Sequence, residues 1–105
     1  MKSSPKPPKT YHTFVRRYPK LAEAWEKIAE AGTEGPIDAK TARLIKLAIA
    51  IGAMREGAVH SSVRKARAAG IAVEEIEQVV ALAAGTLGMP STVAAFTWVQ
   101  DEIGK

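Results

Sequence analysis

The sequence predicts an all-α fold, a compact helical domain of about five helices with a central helical hairpin. Three observations predict it. From Pro19 onward, apolar residues return every three or four positions. The breaks between these runs are short and hold Gly, Pro or Asp. No stretch alternates apolar and polar residues at the period of a half-buried strand.

The first predicted helix covers 19–31. Leu21, Trp25, Ile28 and Ala29 share one face, Glu23 and Lys27 form an i, i+4 pair, and Gly32 follows as a stop. In the turn TEGPIDAK, Asp38 is the candidate N-cap, because its carboxylate can accept the free amide protons of the next turn. The second helix then runs to about Met54. Its middle, Leu44 to Ile51, is apolar except for Lys46, so it is expected to be buried nearly all round, within the domain or at an oligomer contact. Eight such residues can also make a buried strand, but the alanines and the continuous pattern on both sides favour helix.

Gly57 marks the expected joint to a third helix, about 58–69, which Gly70 closes. Val59, Val63 and Ala66 lie on one side of it, and Arg64, Lys65 and Arg67 sit near its C-terminus, where the helix dipole favours cations. The fourth helix carries Ile76, Val79, Val80, Ala83 and Leu87, with Glu74, Glu75 and Glu77 near its start. Pro90 suits the first turn of a last helix containing Val93, Phe96, Trp98, Val99 and Ile103. The short turns predict antiparallel neighbours, and no internal repeat is present.

Composition bounds the chemistry. With 105 residues, 47% hydrophobic and 25% charged, the chain suits one globular core. A domain this short buries the rest of its apolar surface readily against copies of itself. The absence of Cys excludes disulfides, thiolate nucleophiles and cysteine-ligated metals. No segment offers the roughly 20 apolar residues needed to span a bilayer, and the start of the chain has no apolar signal core, so a cytoplasmic protein is expected. The net charge of +4 is unevenly placed: residues 1–20 hold six Lys or Arg and no acid, whereas 21–105 hold nine against eleven acids. Residues 1–10, with three Pro and three Lys, are expected to be a flexible basic tail, and 11–105 a single helical domain. Because the positive excess sits in that leader and not on a folded face, no nucleic-acid partner is expected.

Three stretches, IDAKTARLIKLAIAIGAM, REGAVHSSVRKARAAG and VEEIEQVVALAAGTLGMPSTVAAF, resemble the carboxymuconolactone decarboxylase-like (alkyl hydroperoxidase D-like) family over about residues 36–100. The resemblance implies a helical hairpin that carries the active site, and assembly into trimers or hexamers. The redox branch of the family has Cys-x-x-Cys-x-x-x-His at the joint of that hairpin. Aligned without gaps, those positions fall on Arg55, Ala58 and Ser62, and an upstream Glu of the proton relay falls near Arg43. Thiol peroxidase chemistry is therefore ruled out. The lactone decarboxylase branch does without the Cys pair, but it too has His at the Ser62 position.

The candidate catalytic residues are Glu56 and His60, four apart on one helix face and suited to act as base and orienter. At about 100° per residue, His60 lies about 200° from Ser62 and does not inherit the family histidine's place. The plain alternative is that Glu56 caps the helix and His60 is a satisfied polar residue. Arg55 and Arg43, with Ser62, are the candidate substrate-binding residues for an anionic carboxylate, against a reading as surface arginines and a packing serine. Trp25, Phe96, Trp98, Met54 and Met89 are assigned to core or oligomer contacts. A metal site needs a third ligand beside Glu56 and His60, and the other histidine, His12, is far along the chain, so no metal and no cofactor is expected. The expected function is that of a carboxymuconolactone decarboxylase-like protein acting on a small carboxylated or lactone substrate as a lyase; the alternative is a non-catalytic oligomeric binding or scaffold module. The expected partners are further copies of the chain and a small anionic ligand, with no membrane.

Overall fold

The computed structural model describes residues 9–104. The described residues form six helices and no strand: α1 (Lys9–Arg17), α2 (Pro19–Ala31), α3 (Ala39–Gly52), α4 (Glu56–Ala68), α5 (Val73–Leu87) and α6 (Met89–Ile103). The all-α expectation holds. None of these helices is long and apolar enough to cross a membrane.

The last four helices close into a ring. α3 packs on α4 and α5, and α6 packs on the other side of both. Their inner stripes meet in one core: Leu47, Ala50 and Ile51 from α3, Val59, Val63 and Ala66 from α4, Ile76 and Val80 from α5, and Ala95 and Val99 from α6. Each stripe repeats at three or four residues, the spacing that keeps side chains on one side of a helix. α1 and α2 pack on each other and form an arm beside this bundle.

Two helix ends shape the ring. α4 stops where Gly70 adopts φ 83°; its amide donates to Arg67, the Ile71 amide donates to Ala66, and Ile71 turns back into the core. α3 stops with the same pair of bonds, Met54 to Ile51 and Arg55 to Ala50, but here the left-handed residue is Met54, at φ 52°. This corrects the sequence reading of the joint. α3 ends at Gly52 and not near Met54, and α4 begins at Glu56, so Gly57 lies inside its first turn and is not the break.

One further expectation changes and two are narrowed to their oligomer-contact alternative. Helix α1 occupies residues that carried no assignment, and it begins within the expected flexible tail; residues 1–8 of that tail lie outside the described residues. Its Tyr11 and Phe14 are spaced to meet α2, a signal too short to stand out in sequence. α3 is not enclosed all round within the chain, because Ile45, Ala48 and Ile49 face outward. Trp25 and Phe96, read as core or oligomer contacts, are likewise exposed within the single chain, and only Trp98 of the three large aromatics packs against the core.

Asp38 is the N-cap of α3, its carboxylate accepting from the Thr41 amide at 3.3 Å. The hydrogen bonds to Thr41 hold its carboxyl below the ordinary 3.8. The cap's contribution is therefore complete above that value and is lost as pH falls through the lower folded-state pKa. In thermal unfolding, Asp38→Ala should lower Tm at pH 7, and the gap to the parent should narrow at acid pH. In the core, Ile76 is fully buried, and Ile76→Ala should cost about 2–5 kcal/mol in urea unfolding.

Candidate functional site

The candidate catalytic residues meet on the outer edge of the α4–α6 contact. Because α4 begins at Glu56, Glu56 and His60 are successive residues on one helix face. His60 Nε2 lies 3.3 Å from Glu56 Oε2, and its Nδ1 lies 2.6 Å from Glu102 Oε2 on α6. The Glu102 side chain is only 3% exposed, whereas that of Glu56 is 60% exposed. Arg64, one turn beyond His60, places its guanidinium 3.4 Å from the same Glu102 oxygen. An imidazole, 18% exposed, is thus held from behind by a buried carboxylate and meets an exposed carboxylate in front.

That arrangement fixes the ring. Each ring nitrogen faces a carboxylate oxygen: with Nδ1–H donating to the buried Glu102, Nε2 is the nitrogen turned toward Glu56 and the exposed side. The Arg64 contact offsets the charge that Glu102 brings into the interface.

The other sequence candidates lie around this centre in three places. Arg55 is the exposed N-cap position of α4, next to Glu56 but without a side-chain capping bond. Ser62 is buried on the inner side of α4, away from His60, as the helical rotation between them requires. Arg43 is half-buried on α3 and acts electrostatically on Lys65 of α4, together with Lys46 and Arg64. The structure therefore brings Glu56 and His60 together, sets Arg55 beside them, and gathers Arg43 into a basic group across α3 and α4. Among the described residues, no three His, Cys, Asp or Glu side chains are placed to hold a metal ion.

Two partners were missed by the sequence reading, Glu102 and Arg64. Arg64 was assigned only to the C-terminal dipole of its helix. Glu102 had a usable signal: it continues the buried series Thr92, Ala95, Val99 at helical spacing. An acid on an apolar stripe demands a cationic or donor partner, but sequence alone does not reveal that the partner lies 42 residues earlier.

Removing the buried acceptor should be costly. Glu102→Ala should lower unfolding free energy by about 2–3 kcal/mol, less than a fully enclosed pair because His60 and Arg64 keep some water. Glu56→Ala should stay below about 1 kcal/mol. A urea titration of both variants tests the ranking.

Lys65 supplies a second test. Loss of hydration lowers its ammonium pKa, and Arg43, Lys46 and Arg64 lower it further. The fold thus disfavours its charge, and this penalty is full below the lowered folded-state value and fades as pH rises from there to the ordinary 10.5. Lys65→Gln should therefore raise Tm at neutral pH, by a margin that shrinks in high salt.

Comparison with known proteins supplies the family. Residues 19–101 match the carboxymuconolactone decarboxylase family, a span that runs from the start of α2 to near the end of α6. No curated protein and no solved structure matches the chain. With most of its length in that match, the chain belongs to the carboxymuconolactone decarboxylase family.

Proposed function

We propose that the protein is a cysteine-independent lyase of the decarboxylase type, acting on a small carboxylated lactone by proton transfer at His60. The observation that carries the reading is the 2.6 Å contact between His60 Nδ1 and the buried Glu102 carboxylate. It is the arrangement by which a carboxylate orients an imidazole and stabilises its cation while the opposite nitrogen acts.

The chemistry follows from the groups at hand. In a lactone whose carboxylate-bearing ring carbon is α to the lactone carbonyl, or joined to it through a ring double bond, the bond from that carbon to the carboxylate breaks, carbon dioxide leaves, and the electron pair passes into conjugation with the carbonyl as an enolate. His60, in its imidazolium form with Nδ1–H held by Glu102, then delivers the Nε2 proton to carbon, and Glu56, with its exposed carboxylate 3.3 Å away, passes a solvent proton back to Nε2. One proton is consumed for each carbon dioxide released. Arg55 beside Glu56, and the basic group of Arg43, Lys46, Arg64 and Lys65, favour an anionic substrate. Ser62, on the inner side of α4, has no part in this reading.

The test is turnover of a panel of carboxylated γ-lactones, followed by carbon dioxide release and proton uptake. His60→Gln should lower kcat by about 10²–10⁴, and Glu102→Gln by roughly 10² with little change in KM. Glu56→Gln should have the smallest effect. Absence of turnover across the panel, or full activity in His60→Gln, would sink the proposal.

A further inference from the structure

The fold sorts the charges of the bundle by helix. Helices α3 and α4 carry Lys40, Arg43, Lys46, Arg64, Lys65 and Arg67, with one acid, Glu56, at the far end of α4. Helices α5 and α6 carry Glu74, Glu75, Glu77, Asp101 and Glu102 and no Lys or Arg. Opposite charges meet where the two halves touch: Lys40 pairs with Glu75 at 2.8 Å, and Arg64 with Glu102 at 3.4 Å. Between α3 and α4 the charges are all of one sign. Among the described residues no acid lies within ion-pair distance of Arg43, Lys46 or Lys65. Lys65 has lost hydration and also feels the charges of Arg43, Lys46 and Arg64. The sequence places the positive excess in the leader, whereas the fold gathers a second one within the body.

We propose that Arg43, Lys46 and Lys65 form a binding site for two or three linked phosphates, the di- or triphosphate group of a small ligand. Three features select this chemistry. The first is the donor set. Guanidinium and ammonium groups offer N–H donors and no acceptor, so the ligand must present bare oxygens. A guanidinium fork grips a phosphate at two oxygens, and the ammonium groups add point charges beside it.

The second is charge. A phosphate group brings roughly −1.5 to −2 near neutral pH, so two linked groups offset three cations, whereas a single carboxylate offsets one. The third is size. Arg43 and Lys46 stand one turn apart, about 4.5 Å along α3, and α4 runs beside them at an interaxial distance of about 8–10 Å. A patch this short holds a few linked phosphates, while a nucleic-acid strand needs a basic groove that follows at least about four nucleotides. Without a ligand the protein bears the mutual repulsion of the three cations, the kind of stability cost that binding sites carry.

The site is separate from the imidazole and does not rest on its chemistry. At about 100° per residue, Lys65 lies about 140° around α4 from His60. The two stand on opposite flanks of the buried stripe Val59, Val63 and Ala66, so His60 faces α6 while Lys65 faces α3.

The test is calorimetric titration of the full chain with inorganic triphosphate in the presence of EDTA, paired with the Tm shift that the ligand produces. Triphosphate should bind the parent, raise its Tm and lose affinity as salt is added. Arg43→Gln, Lys46→Gln and Lys65→Gln should each weaken binding about tenfold or more, and Lys27→Gln, on the arm, should leave it unchanged. Lys65→Gln separates binding from structure: its Tm without ligand should exceed that of the parent, and the rise on adding triphosphate should shrink. A nucleoside triphosphate that binds more tightly than inorganic triphosphate would identify the source as a nucleotide, and equal affinity would assign the phosphates alone; both support the site. It is overturned by the absence of triphosphate binding, by citrate binding as tightly as triphosphate, by a single-stranded oligonucleotide binding more tightly than either phosphate ligand, or by an equal loss in Lys27→Gln.

Discussion

The ring of four helices depends on a dry centre in which no helix is sufficient by itself. Leu47 and Ile51, Val59 and Val63, Ile76 and Val80, and Val99 come from four separate segments, and each is essentially inaccessible to water. An isolated helix of 13–15 residues is marginal in water, so α3 to α6 owe their persistence to this common burial. The small residues Ala50, Ala66 and Ala95 let the axes approach, and the branched residues fill the space between them. The site inherits its rigidity from the same packing, because Val59 and Val63 bracket His60 on α4, and Val99 precedes Glu102 on α6 by one turn.

The Glu102 carboxylate belongs to both the packing and the proposed chemistry. It occupies a place on the α6 stripe that an apolar residue would fill, and it is accommodated because α4 brings His60 and Arg64 to it. Slipping α6 past α4 by one turn would separate the buried carboxylate from the His60 imidazole and the Arg64 guanidinium. The contact therefore specifies the register of the two helices while it orients the imidazole. Glu56, on the exposed side of the imidazole, has no such duty.

Much of the fold was legible in the chain because the relevant signals are local. The α2, α5 and α6 spans follow from apolar spacing, and the Asp38 cap and the Gly70 stop follow from side chains with one obvious use. The α3–α4 joint was not, because the left-handed position is held by Met54, a residue with no turn signature, while the visible glycines at 52 and 57 are helical. The outward face of α3 looked like core because sequence records apolarity and not whether the covering surface belongs to the same chain. At the site, the Glu56–His60 adjacency was readable at helical spacing. Glu102 was hidden by distance along the chain, and the Arg43 group by the fact that charge clusters across helices leave no periodic trace.

The turn at Met54 carries a cost of its own. A side chain at φ 52° bears a penalty of about 1–2 kcal/mol that glycine escapes, yet its two reversing bonds aim Arg55 and Glu56 into α4. Substitution tolerance at this one position is therefore inverted relative to the helices on either side. Glycine and asparagine, which weaken a helix interior, are the replacements the bend accepts most easily, and valine or isoleucine, welcome in the neighbouring core, are the ones it resists. Variation among natural descendants of this chain would be channelled accordingly, with the hinge drifting toward residues its flanks exclude.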